Sequence, residues 1–167
     1  MKYTRILKTD PANYNARAEL MWAGSLSHND LTGCGTGGGD WATHFMEHEM
    51  GGMFDVAHGA GLAAIWGSWA RYVCDAAPHR FLKFALQIMD VEPGATDEET
   101  IEKGICAMEN FFRDIDMPTN MRELGITPTP EQIRIMAASC EVKTGGGAGC
   151  VKILKKEDME KIYQMAL

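Results

Sequence analysis

The chain has 167 residues, enough for one domain that hides roughly 68–70% of its unfolded surface in a core. Its 46% hydrophobic and 23% charged residues exclude overall disorder. The net charge of −7, from 16 Lys and Arg against 23 Asp and Glu, argues against a nucleic-acid partner, whose phosphates are held by cations.

Asp10-Pro11 reads as an N-cap followed by proline in the first turn, and Ala12, Ala16, Leu20 and Ala23 recur on one helical face. That helix runs out near Gly33-Cys34-Gly35, and the glycines from 35 to 39 break regular structure. Asp40 is placed to cap a second helix that carries His44 and His48 and ends at Gly51-Gly52. Asp55 precedes a third stretch, His58 to Val73, apolar on nearly every side and therefore expected at the centre of the domain. Pro78 opens a helix to about Asp90, closed by Pro93-Gly94. Thr96-Asp97-Glu98-Glu99 reads as a capping box, and Ile101, Ile105, Met108 and Phe112 form the stripe that follows. A turn near Asn120 to Leu124 stops at Gly125, Thr129-Pro130 opens a helix to about Cys140, and Met159, Ile162, Tyr163 and Ala166 mark the last one. Alternation of period two is confined to Gly149–Leu154, behind the glycine-rich run from Thr144. The expected fold class is all-α: a single domain over residues 1–167 built as a bundle of about seven helices.

The longest uncharged apolar run, Gly59 to Ala70, falls short of the ~20 residues of a membrane helix. The first residues, Met-Lys-Tyr-Thr-Arg-Ile, carry no apolar signal region. Five scattered cysteines without a CxxC pair suit free thiols in a reducing compartment. A cytoplasmic protein with no membrane partner is expected.

Three of the five histidines, His44, His48 and His58, fall close together. His44, Glu47 and His48 match the H-x-x-E-H pattern of inverted zincins, with the two histidines one helical turn apart and Glu47 available as a base. His44 could equally pair with His58 if the glycines at 51 and 52 let the chain reverse. Two imidazoles are an incomplete catalytic site under either pairing, and spacing alone does not choose between them.

The stretch from Asp40-Trp41-Ala42-Thr43-His44 through Val56-Ala57-His58-Gly59-Ala60-Gly61-Leu62-Ala63 closely resembles the second metal-binding segment of the iron-containing alcohol dehydrogenases, in particular their butanol dehydrogenase-like branch. Asn13 to Ala23, Asn110-Phe111-Phe112, Met117-Pro118-Thr119 and Lys155 to Tyr163 are similar to the same branch, so the resemblance covers nearly the whole chain. It implies the all-helical C-terminal domain of a two-domain enzyme whose N-terminal α/β domain binds NAD(P). It also implies four metal ligands, an Asp and a His from a D-x-x-x-H helix and two later histidines, which map onto His44 and His58. His48 matches a histidine near the substrate that serves in proton relay. Fe²⁺ or Zn²⁺ bound there would polarise an alcohol or carbonyl oxygen, so that hydride can pass between a small alcohol or aldehyde and the nicotinamide.

The D-x-x-x-H helix and the dinucleotide strands are not found among these residues. Asp40 and His44 spell D-x-x-x-H, but Asp40 reads better as a cap. The two Gly-rich runs read as loops, not as phosphate cradles. The family's N-terminal domain is therefore expected to be absent and the metal site incomplete, and the isolated chain is expected to lack activity. A homodimer is compatible with the family plan, with much of its contact expected outside this chain.

Two other functions stand beside this one: a small H-x-x-E-H zinc metalloprotease, and a non-catalytic helical remnant that acts as a binding module. Glu47→Gln would abolish the protease but is expected barely to disturb a dehydrogenase using His44 and His58. Glu47 otherwise reads as a solvated carboxylate or one behind the ligands. His28 and His79 read as surface or capping groups, and Trp22, Trp41, Trp66 and Trp69 as core or cleft wall.

Overall fold

In the computed structural model, which describes residues 1–167, the chain begins with a helix that the sequence pattern does not announce: α1, Lys2–Thr9. Asp10 closes it, its N–H donating to the Ile6 carbonyl at 2.8 Å, and so does not cap the next helix. That cap is Asn13, whose side chain accepts from the Ala16 N–H at 3.0 Å and opens α2, Tyr14–His28. A short 3₁₀ turn at Leu31–Gly33 follows. These elements belong to one unit, residues 1–39; residues 40–167 form a second.

The second unit is helical throughout. Its elements are α3 (Ala42–Phe54), α4 (His58–Val73), α5 (Pro78–Lys83), α6 (Asp97–Asp114), α7 (Pro130–Lys143) and α8 (Lys156–Met165). The all-α expectation holds, with eight α-helices in the whole chain and no strand. The alternating segment near residue 150 closes only one antiparallel pair, Ala148 with Leu154. Glycines 145, 146, 147 and 149 all take positive φ and curl the backbone before it. No helix is long and apolar enough to cross a membrane.

Central placement of α4 follows from its side chains. Gly61, Ala63, Ala64, Ile65, Gly67, Ser68, Ala70 and Val73 are all buried, and their small size lets α3, α6 and α8 pack against it. Met46, Met50, Ile105, Met136, Leu154, Met159 and Ile162 fill the space around them. Residues 78–90 do not form one α-helix: after Lys83 the backbone widens into a π turn, Phe84–Ile88. Ala85 of that turn lies against Gly104 of α6, a contact that leaves no room for a larger residue at 104. At α6 the cap is half of a box: Thr96 accepts from Glu99 N–H at 3.2 Å, while Glu99 reaches Ala95 N–H at 2.7 Å and not the cap residue. At α7 the Thr129–Gln132 box is complete.

Three polar clasps tie the unit together. Arg71 of α4 pairs with Glu109 at 2.6 Å and Glu102 at 2.7 Å on α6. The buried Tyr163 hydroxyl of α8 donates to the Met46 carbonyl of α3 at 2.6 Å. Tyr72 of α4 donates to Asp158 of α8 at 2.5 Å. That last bond, with some burial, pushes the Tyr72 phenol up to about 12 from its ordinary 10. Burial would raise the Asp158 carboxyl, but hydrogen bonds from Tyr72 and the Lys155 N–H hold it below the usual carboxylate range. Because the neutral phenol is the donor and the carboxylate the acceptor, the clasp contributes fully from above the carboxylate range to pH 10, and is lost as pH rises through about 12 or falls low enough to protonate Asp158. Alkaline titration followed by tyrosinate absorbance should therefore contain a component near pH 12 that disappears in Tyr72→Phe.

Candidate metal centre

The site begins at the N-terminus of α3. Asp40 turns one carboxylate oxygen to the Ala42 N–H at 3.1 Å and the other to the N–H groups of Cys150 and Val151 at 2.7 and 2.8 Å. Trp41 takes a left-handed conformation at the cap position, φ 60°, and Asp40 supplies the capping oxygen from one residue earlier. Both Asp40 oxygens are thus committed to backbone donors, as expected of a cap and not of a metal ligand. Gly149 must be glycine here, because its φ is +92° and a Cβ would stand 3.0 Å from the Asp40 carboxylate.

With its start fixed, α3 presents His44 and His48 one turn apart. The helix runs past Gly51 and Gly52 to Phe54, and the reversal comes instead at Asp55, left-handed at φ 53°. His58 then opens α4. The result brings all three histidines together: ring centroids lie 5.3 Å apart for His44 and His58 and 5.3 Å apart for His48 and His58. Trp41 packs edge-on against His44 at 4.8 Å. Two imidazoles on one ion, with metal–nitrogen bonds of about 2.0–2.1 Å, would hold their centroids roughly 5 Å apart. The His44–His58 and His48–His58 spacings both fit that requirement. Neutral imidazole also suits Fe²⁺ and Zn²⁺.

Of the two expectations for Glu47, the solvated one fails and the one behind the ligands fits. It is not solvated but 2% exposed, and its carboxylate accepts a hydrogen bond from His58 Nδ1. The ligand atoms of Glu47, His48 and His58 lie within 4.8 Å of one another. A base for water activation needs an open face toward that water, and Glu47 has none, which removes the structural basis of the metalloprotease reading. The same contact places the Glu47 carboxylate directly against His58. No local pattern marks it, because Gly61, which leaves it room, lies on the next helix.

Beside His48, a cleft of about 150 Å³ between α3 and α7 is lined by Phe45, His48, Glu49, Cys140, Lys143 and Thr144. Glu49 pairs with Lys143 at 2.7 Å. Burial pushes the Cys140 thiol up to about 12, which keeps it protonated and unreactive. All five cysteines are free thiols. Of the tryptophans, Trp66 and Trp69 pack against the core, whereas Trp22 and Trp41 are 65% and 51% exposed. His28 is exposed beside the Ser27 hydroxyl, and His79 is exposed too.

The profile of the "Fe-containing alcohol dehydrogenase family, C-terminal" matches residues 1–167. The chain belongs to this family. It is 30% identical over 165 residues to the NADH-dependent butanol dehydrogenase A of Clostridium acetobutylicum, covering 98% of this chain and 42% of that protein. It is 32% identical to the probable NADH-dependent butanol dehydrogenase 1 of Bacillus subtilis, over 96% of this chain and 41% of that one. Among solved structures, the NADH-dependent butanol dehydrogenase A of Thermotoga maritima superposes with a TM-score of 0.90 at 32% identity, over 99% of this chain and 42% of its own. The chain therefore spans about two fifths of the length of the relatives it matches.

Replacing Asp40 by Ala should remove three charge-assisted bonds that fix the start of α3. We expect a loss of about 2 kcal/mol, read as a lower urea midpoint with an unchanged slope.

Proposed function

We propose that this chain forms the metal-holding side of the active site of an iron-dependent, NAD(P)-linked dehydrogenase that interconverts small alcohols and aldehydes. The observation that carries this reading is the convergence of His44 and His58 from two successive helices, 5.3 Å apart, in a chain of this family. Relatives named as NADH-dependent butanol dehydrogenases support the substrate class and the nicotinamide cofactor.

His44 and His58 would hold the metal, together with an Asp and a His of a D-x-x-x-H helix outside these 167 residues. Bound there, Fe²⁺ or Zn²⁺ supplies a Lewis acid for the alcohol or carbonyl oxygen. The chain's own residues do the rest. His48, exposed beside His58, holds or releases a proton at a ring nitrogen between the substrate oxygen and solvent. Trp41 and Phe45 offer apolar surface on the same helix turn, suited to an alkyl chain. Two imidazoles fall short of a complete catalytic shell, so the 167 residues alone are expected to bind metal weakly and to show no turnover.

Titration of the full chain with Zn²⁺ by calorimetry should give an affinity that falls at least ~10-fold in His44→Ala and in His58→Ala, and less in His48→Ala. No thermal shift with either Fe²⁺ or Zn²⁺ would favour the non-catalytic binding module instead. Co-expression with a polypeptide carrying the dinucleotide domain and the D-x-x-x-H helix should yield NAD(P)H-linked reduction of butanal. Butanol oxidation by the 167 residues alone would contradict the expected inactivity.

A further inference from the structure

A carboxylate held at 2% exposure is costly unless donors compensate it. Glu47 has such compensation in a built recess. His58 Nδ1 faces Glu47 Oε2, and the carboxylate lies against the first turn of α4, where the helix dipole favours negative charge. The recess exists because two residues lack side chains. A Cβ on Gly61 would stand 2.6 Å from Glu47 Oε1 and 2.7 Å from its Cγ, and one on Gly51 would stand 3.2 Å from Oε1. One glycine comes from Glu47's own helix and the other from the helix that begins with His58.

We propose that Glu47 is a positioning residue that sets the tautomer and orientation of His58. A carboxylate can only accept, so the imidazole proton is held on Nδ1 and the ring's lone pair is left on Nε2. Nε2 is then the one atom of His58 able to bind a metal, and the ring cannot turn without losing its bond to Glu47. Gly61 belongs to the same device, because its missing side chain is the space the carboxylate occupies. The inference rests on the metal reading of His58, but its first consequence concerns the metal-free chain.

The test joins two measurements on the full chain. Long-range ¹H–¹⁵N NMR reports which ring nitrogen of His58 carries the proton without metal, and calorimetry with Zn²⁺ reports affinity. The wild-type chain should show the Nδ1–H form. Glu47→Ala should move the proton toward Nε2 and weaken Zn²⁺ about 10–100-fold. Glu47→Gln, whose amide oxygen still accepts, should keep the tautomer and recover much of the affinity. Gly61→Ala leaves Glu47 in the sequence but fills its recess, and should reproduce the Glu47→Ala result in both measurements. An Nδ1–H tautomer that persists in Glu47→Ala would overturn the proposal. So would a Zn²⁺ affinity unchanged in Glu47→Ala but lowered in His58→Ala. An affinity indifferent to His58→Ala would instead overturn the metal reading itself, and with it the role assigned here.

Discussion

The candidate site depends on a buried negative charge laid against the start of α4. Glu47 lies between two histidines of α3 and faces inward, where Gly61 of the next helix leaves it space and His58 gives it a proton donor. Interior carboxylates are tolerated only with partners, so α3 and α4 have one crossing that satisfies this one. That crossing also sets the separation of His44 from His58. The packing of two helices and the spacing of two imidazoles are thus one geometric fact.

The same helix repeats the arrangement one face away. Gly67 of α4 leaves room for Glu109 of α6, which is 9% exposed and held by Arg71. Small residues along α4 do more than allow close packing: at two positions they make room for a carboxylate that belongs to a neighbouring helix. One of these carboxylates bears on the candidate site and the other fixes the opposite flank. A helix read from its sequence only as apolar on nearly every side is also lined with polar anchors supplied by others.

How far the sequence reveals this depends on the range of each interaction. Helices α7 and α8 are legible because their caps and apolar stripes are local: Thr129 with Gln132, and Met159, Ile162 and Tyr163 on one face. The start of α4 at His58 is legible from its long apolar run, although its N-cap Ala57 makes no side-chain bond. Helix α1 buries none of its residues, so no core-facing stripe marks it. The end of α3 is misjudged at Gly51-Gly52, since Met53 and Phe54 pack against the core and outweigh the roughly 1 kcal/mol that each helical glycine costs. The grouping of His44 with His58 is legible only through family resemblance, because spacing fits His44 with His48 as well. The Glu47–His58 bond depends on how two helices cross, and no local pattern encodes that.

The bond from Tyr163 to the Met46 carbonyl links the ends of the second unit. Met46 sits on the helix turn between His44 and His48, and the hydroxyl that reaches it comes from the last turn of α8. Leu154 and Met159, also from this late stretch, fill the core beside it. Helices α4 and α7 pack along α3, and the Tyr163 hydroxyl closes over Met46 from the far end of the sequence. Loss of the residues from Tyr163 onward would spare all three histidines and still leave the Met46 carbonyl on their helix without its donor.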